Sequence, residues 1–423
     1  MNIIHGDCLE ELKKLEDNSV DAVVTDPPYG LSNTKPQQVA DVLKAWVTGD
    51  TVSVPAKRGG FMGKDWDSFV PPPAVWEECM RVLKPGGHMA VFAGARTQDL
   101  MGLSIRLAGF ELRDTLGWIY GSGFPKSMDV SKAIDKAAGA EREVVGENPN
   151  HRAVSGVSYE GIYQGGNTGA KDLTAPATSE AQRWDGWGTA LKPAIEPIIL
   201  ARKPLVGTVA QNVLEHGVGG LNIDACRVPT DEDRSRTPGR PEAEGWGLHL
   251  RADPSVSHAA GRFPANVLLD EHAAKEMDEQ SGRSESKLQY HFNDSPNTGS
   301  PSLGDYGAHS SVRGYNDSGG ASRFFPVFKY QAKAPKKERP VIEREDGTKI
   351  QHPTVKPLAL MEWLVTLITP EGGTILDPFA GTGTTLQAAR DKGFHSIGIE
   401  ADADYIQLIH QRLEGGTTST RSS

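Results

Sequence analysis

With 423 residues, 37% of them hydrophobic and 24% charged, the chain is long enough for an α/β core and a second domain. Its three cysteines, Cys8, Cys79 and Cys226, exclude a disulfide framework and a zinc-ligand cluster and point to a reducing, cytosolic setting. No secretory leader and no apolar run of the roughly 20 residues a membrane span needs is read. The net charge of −10 argues against a nucleic-acid partner unless basic residues are gathered locally.

In chain order, MNIIHGD is expected as a buried strand, CLEELKKLE as a short amphipathic helix, and DAVVTDPPYG as a second buried strand stopped by its prolines. A polar loop follows, then a helix ending near LKPGG, the strand HMAVFAG, another helix and the strand LRDTLGWIYG. These are βα units. From Gly121 to about Glu180 the chain turns polar and glycine-rich and reads as a long mobile loop. IEPIILARKP is then a strand, and residues from about Leu205 to Phe328 mix short elements with polar runs, as an inserted domain would. The last part returns to α/β order: PLALMEWLVTLIT as a helix, GGTILDPFAG as a strand, TTLQAARDKG as a helix, HSIGIE as a strand, DYIQLIHQRL as a helix. A frayed tail, 415–423, is expected to close the chain.

Four expected strands end in, or just before, a carboxylate: Asp7, Asp26, Asp377 and Glu400. In parallel α/β sheets, ligands sit beyond the carboxyl ends of the strands, so the coincidence points to a site. Each acid taken alone could be a helix N-cap or a turn residue.

The segment DPFAGTGTT, Asp377–Thr385, joins a strand to a helix, and Gly381 and Gly383 permit a tight turn close to a ligand. It lacks the Gly-Lys-Ser/Thr of a phosphate cradle and a strict G-x-G-x-x-G, which speaks against ATP, GTP and NAD. Glu400, at the next strand end, is suited to ribose hydroxyls. A ribose without a pyrophosphate site suggests S-adenosylmethionine.

The second signature is DPPY: Asp26, Pro27, Pro28 and Tyr29. Two prolines fix the backbone and remove two donors, so the turn offers carbonyls, a carboxylate and a ring to a common space. Such a turn suits a planar NH2 group. An exocyclic amine is a poor nucleophile because its lone pair is conjugated with the ring; accepting its hydrogens at Asp26 and the Pro27 carbonyl favours the pyramidal, reactive nitrogen. Tyr29 would stack on a base flipped from the duplex. For DPP alone, a Pro-Pro turn with an N-capping Asp is the competing account.

With these motifs in this order, the chain resembles the β-class DNA amino-methyltransferases, whose DPPY motif precedes the target-recognition region and whose cofactor motif comes near the C-terminus. The resemblance covers roughly Met1–Gly121 and His352–Leu413. It implies a circularly permuted, Rossmann-like α/β methyltransferase fold: a seven-stranded, mainly parallel sheet with one antiparallel strand, supplied by IEPIILARKP, plus an inserted target-recognition region. Residues 1–204 would form the catalytic part, with mobile loops at 31–70 and 121–185, followed by target recognition at 205–335 and the cofactor-binding part at 336–414.

The resemblance further implies that Asp7, with Cys8 beside it, contacts the cofactor adenine, and that His352, Thr354, Lys356 and Pro357 of HPTVKP lie near the methionine part. Phe379 would pack on the cofactor and Asp377 would hold the turn and the cofactor's amino group, with Pro378, Ala380, Gly381, Gly383, Thr384 and Thr385 completing the cradle and Asp26 beside it. No metal is called for. Double-stranded DNA is the expected partner, a homodimer is allowed, and a cytoplasmic setting in a bacterial or phage-infected cell is implied.

For DNA contact, SRFFPVFKYQAKAPKKER interleaves six basic side chains with four aromatics and one acid, Glu338. Arg323, Lys329, Lys333, Lys336 and Lys337 are its candidates, and Lys57 and Arg58, around RGGFMGKDW, offer a second basic loop. A solvated surface loop fits either stretch equally. C5-cytosine chemistry is set aside because no cysteine follows a proline. Asp26 in first position favours adenine N6 over cytosine N4, and the intact motifs favour an enzyme over a DNA-binding regulator that has lost transfer activity.

Overall fold

The structure, a computed structural model, describes residues 1–32, 34–55, 67–121, 123, 127–148, 172–230, 261–286, 289–292, 310–313, 317–328, 340–344, 347, 349–352 and 354–415. It comprises two compact units, one formed by Met1–Gly121 with Glu196–Ser423 and the other by Ser122–Ile195.

The larger unit is built on nine strands: β1 Asn2–His5, β2 Val20–Thr25, β3 Leu83–Phe92, β4 Glu111–Ile119, β5 Ile195–Arg202, β6 Val267–Asp270, β7 Val327–Phe328, β8 Thr374–Asp377 and β9 His395–Glu400. Their order across the sheet is β1-β9-β8-β2-β3-β5-β4-β6-β7. The strands from the beginning and end of the chain thus interleave, with β8 pairing parallel to β2 through Ile375 opposite Ala22. The pairs β1–β9, β8–β9, β2–β3, β4–β6 and β6–β7 are also parallel, whereas β5 runs antiparallel to β3, with Phe92 opposite Ile198.

This is the permuted α/β sheet expected from the sequence, but with nine strands where seven were expected. The two extra strands, β6 and β7, come from the 205–335 stretch and extend the sheet beyond β4. Buried Asp270 at the end of β6 accepts from Gly121 N and Ala273 N, so one carboxylate ties the end of β4 to the next helix.

The helices of this unit are α1 Cys8–Leu12, α2 Pro36–Val47, α3 Pro73–Val82 and α4 Gln98–Leu107, then α5 Val209–His216, α6 Glu271–Ser281, α7 Leu358–Ile368, α8 Thr384–Asp391 and α9 Ala403–Gly415. Alternation along the strands makes two apolar layers. Val23, Met89, Val91, Ile199 and Leu376 face α3 and α4, packing with Trp76, Cys79, Met101 and Ile105. Ala22, Val24, Ala90, Phe92, Ile198 and Ile375 face the other side, under Leu360, Leu364, Val365 and Ile368 of α7. All six residues of β2 are buried, as a central parallel strand covered on both faces requires.

Helix α2 occupies part of the 31–70 stretch expected as loop. The smaller unit likewise has order within the 121–185 stretch. A helix over Val130–Ala138 is capped by the Asp129 carboxylate and ends at left-handed Gly139. Inside it, buried Asp135 pairs with Arg142 at 2.7 Å and accepts from Ala177 N and from the Thr178 backbone and hydroxyl. Sequence patterning gives no warning of this polar core, because a buried Asp looks like any solvated one. Residues 149–171, at the centre of the expected loop, and the tail from 416 onward lie outside the described residues. No described helix is long and apolar enough to cross a membrane.

Candidate active site

Strands β2, β3, β8 and β9 bring their carboxyl ends to one edge of the sheet, where the expected residues collect. Thr25, the last residue of β2, donates through Oγ1 to Asp377 Oδ1 at 2.7 Å. The tetrapeptide Asp26–Tyr29 and the glycine turn after β8 are therefore one hydrogen bond apart.

The tetrapeptide is held from behind. Asp67 Oδ1 accepts from Tyr29 N at 2.7 Å and Gly30 N at 3.0 Å, and Thr97 Oγ1 donates to the Tyr29 carbonyl at 2.6 Å. Gly30 lies at φ +67°, and a Cβ there would meet the Val70 nitrogen at 2.7 Å, so the turn is a glycine position. Asp67 was not singled out from the sequence: it sits in a polar loop 38 positions from Tyr29, and its type carries no mark of the task.

In front of this turn lies a charged cluster. Tyr29 Oη donates to Asp26 Oδ1 at 2.8 Å and accepts from Lys356 Nζ at 2.9 Å. Lys356 Nζ is also 3.0 Å from Asp26 Oδ2 and 3.0 Å from Glu196 Oε2. The Phe92 ring, at the end of β3, lies 4.9 Å from the same ammonium. Burial works against the lysine's charge, but Asp26 and Glu196 outweigh it and hold Lys356 protonated above its usual range. Burial, with Asp26 and Glu196, raises the Tyr29 phenol well above normal, keeping it a donor.

Glu196 escaped the sequence reading, although a signal existed. It stands near the start of β5, and in an antiparallel strand the start lies where the parallel strands end. The strand-end rule applied in reverse to IEPIIL finds it.

The glycine turn forms the neighbouring cradle. Asp377 Oδ1 accepts from Phe379 N at 3.1 Å as well as from Thr25, and the Thr385 hydroxyl also bonds the carboxylate. Burial raises Asp377 to about 6 despite those bonds. Glu400 accepts from Gly381 N at 2.7 Å and Asp402 N at 2.9 Å, fastening the turn to the segment after β9, and burial raises it to about 7. Gly381 and Gly383 both have positive φ, and a Cβ on Gly383 would meet the Ile409 side chain at 2.9 Å. Ala380, Thr384 and Thr385 are buried, Pro378 completes the bend, and Phe379 packs toward Trp76 with ring centroids 6.3 Å apart.

Asp7 caps α1, accepting from Leu9 N and Glu10 N. Cys8 follows it, its thiol raised to about 12 by burial and therefore inert. His352 Nδ1 lies beside both the carbonyl and the amide of Thr354, bonding one or the other according to its tautomer, while the ring packs edge-on against Tyr405 and approaches the Gly381 turn. Pro357 caps α7 and delivers Lys356 to Asp26. Of the DNA-contact candidates, Arg323 donates to the carbonyls of Gly319 and Gly320 and lies 4.3 Å from the Phe324 ring centroid. Lys57, Arg58, Lys329, Lys333, Lys336 and Lys337 lie outside the described residues.

The family model described as DNA methylase, covering N6 and N4 enzymes, matches residues 20–411. The chain belongs to this DNA methylase family. It is 22% identical to the type II methyltransferase M.HindIII of Haemophilus influenzae over 97% of this chain and 94% of that protein. A shorter match, 45% identical, links 15% of this chain to 24% of the type II methyltransferase M2.DpnII of Streptococcus pneumoniae. Among solved structures, a DNA modification methylase from Thermus thermophilus complexed with S-adenosyl-L-methionine aligns with TM-score 0.38 and 16% identity, over 99% of this chain and 98% of that one. The cytosine-N4-specific PvuII DNA methyltransferase aligns with TM-score 0.44 and 13% identity, over 100% and 87%. The membership of the DNA methylase family expected from the sequence thus stands.

Proposed function

We propose that this DNA methylase uses S-adenosylmethionine to methylate the exocyclic amine of a base flipped from double-stranded DNA, adenine N6 being the target. The observation that carries the reading is the Thr25–Asp377 bond, which sets an amine-binding tetrapeptide beside a glycine turn lined by carboxylates.

The residues present fit such a cofactor. Asp377 is a buried acid and Glu400 a partly buried one, and desolvation disfavours the ionisation of both. A sulfonium and an α-ammonium would restore it, and ribose hydroxyls can donate to Glu400. S-adenosylmethionine supplies an electrophilic methyl group on that sulfonium.

The chain's own residues do the rest. Asp26 accepts a hydrogen from the amine, drawing the nitrogen toward a pyramidal form, and takes the proton released once the nitrogen has been alkylated. The Pro27 carbonyl accepts the second hydrogen. Tyr29, pinned at its hydroxyl and backbone, offers its ring to the base. Asp67 keeps the turn in place through Tyr29 N and Gly30 N. Aspartate in the first position of the tetrapeptide favours adenine. Target recognition is assigned to 205–335, and the basic residues of 323–337 and the Lys57–Arg58 loop to phosphate contact. A cytoplasmic setting follows from the DNA substrate.

The test is incubation with unmethylated genomic DNA and labelled S-adenosylmethionine, digestion to nucleosides and mass spectrometry. N6-methyldeoxyadenosine is expected; N4-methyldeoxycytidine would keep the chemistry and overturn the base assignment. Label absent from DNA would refute the reading.

A further inference from the structure

Both oxygens of Asp26 already have a partner: Oδ1 accepts from Tyr29 Oη at 2.8 Å, and Oδ2 faces Lys356 Nζ at 3.0 Å. An ammonium has three protons, and here Asp26, Glu196 and Tyr29 engage all three. Each carboxylate oxygen keeps a second lone pair, but an amine that donates to Asp26 meets a carboxylate whose charge a buried lysine already shares. The lysine side chain is only 10% exposed, so leaving Asp26 without a second anion would strand its charge away from water. Glu196 is that second anion, at the same distance. Among the described residues its polar partners are Lys356 and, at 3.5 Å, the Tyr29 hydroxyl. Both belong to the site.

We propose that Glu196 is a positioning residue: it retains Lys356 when the base amine displaces the lysine from Asp26, so that a free carboxylate oxygen meets the amine. This rests on the amine-methylation reading above. The role uses strand β5, antiparallel to β3, to bring a carboxylate to the edge where β2, β3, β8 and β9 end. It makes the Asp26–Lys356 pair an exchangeable latch. Without Glu196 the latch stays shut, because the ammonium's charge rests on Asp26 alone. Charged and titratable groups around Asp26 are Tyr29 and Lys356 in contact, Glu196 across the lysine, and Asp377 and His352 near enough to feel its charge.

The experiment uses the full chain, S-adenosylmethionine and methylatable duplex DNA, with single-turnover transfer and calorimetric cofactor binding as readouts. Glu196→Gln keeps the shape and removes the charge. It is expected to slow transfer roughly ten- to a hundredfold with cofactor affinity within about twofold, while Glu196→Asp keeps most of the rate. Starting from Lys356→Met, adding Glu196→Gln should cost less than about twofold. Equal losses in the Gln and Asp variants, or a defect confined to KM for DNA, would each overturn the proposal. If Lys356→Met is itself inactive, the comparison of the Gln and Asp variants decides. Asp26→Ala is the control for the underlying reading: were it to transfer at the wild-type rate, that reading fails; if it is dead and Glu196→Gln is normal, only the role of Glu196 fails.

Discussion

Replacing Asp377 with Asn should make the protein more stable and a poorer binder of cofactor, and the stability gain should grow with pH. Asp377 is 2% exposed, and burial lifts it from 3.8 to about 6. Between those values the folded chain keeps a proton that the unfolded chain has released, so this carboxylate removes stability as pH rises and its full cost is reached above about 6. At ~1.4 kcal/mol per pH unit, the difference amounts to about 3 kcal/mol at pH 8 and about half of that at pH 5. Asn retains the geometry: its Oδ1 can still accept from Thr25 and Phe379, and the Thr385 hydroxyl can turn to accept from the new amide. Urea unfolding without cofactor should therefore show a gap in favour of Asp377→Asn that roughly doubles from pH 5 to pH 8. Calorimetry should show weaker S-adenosylmethionine binding at pH 8. A gap that stays constant or narrows as pH rises would refute the claim that burial of this charge is what the site maintains for its ligand.

Three further outcomes are expected. Cofactor affinity should fall as pH drops below about 7, where Glu400 takes up a proton, and Glu400→Gln should flatten that dependence; calorimetry from pH 5.5 to 8 measures both. Asp67→Ala removes the acceptor for Tyr29 N and Gly30 N, so kcat should drop about tenfold or more with cofactor affinity nearly unchanged, as read by single-turnover transfer. Gly383→Ala puts a Cβ at φ +76° against Ile409 and should lower stability by at least ~1 kcal/mol, seen in thermal unfolding, with weaker cofactor binding alongside.

Much of the architecture is legible in the sequence, because buried parallel strands announce themselves. VDAVVT and TILD are apolar runs that end at acids, and the structure ends β2 just before Asp26 and β8 at Asp377. Residues whose importance depends on distant neighbours are not legible. Asp67 and Glu196 act on the turn from 38 and 167 positions away from Tyr29, and neither stands in a motif. Lys356 is visible within HPTVKP, yet its contact with Asp26 follows only from the approach of α7 across β2. The extra strands β6 and β7 are short, and a four-residue run such as VLLD cannot be told from the start of the helix it precedes.

The pairing of β8 with β2 also sets a timetable for biosynthesis. While the chain is still emerging from the ribosome, VDAVVT has β3 on one side and nothing on the other, because its second neighbour, Thr374–Asp377, is translated only long after it. That apolar edge is a hazard for aggregation and a natural client for chaperones until Thr374–Asp377 has emerged. Pairing across such a separation is slow. A product cut short before Thr374 by an early stop or a protease would carry the Asp26 turn without the Asp377 cradle, and on the proposed function should not methylate DNA however well its first half had collapsed.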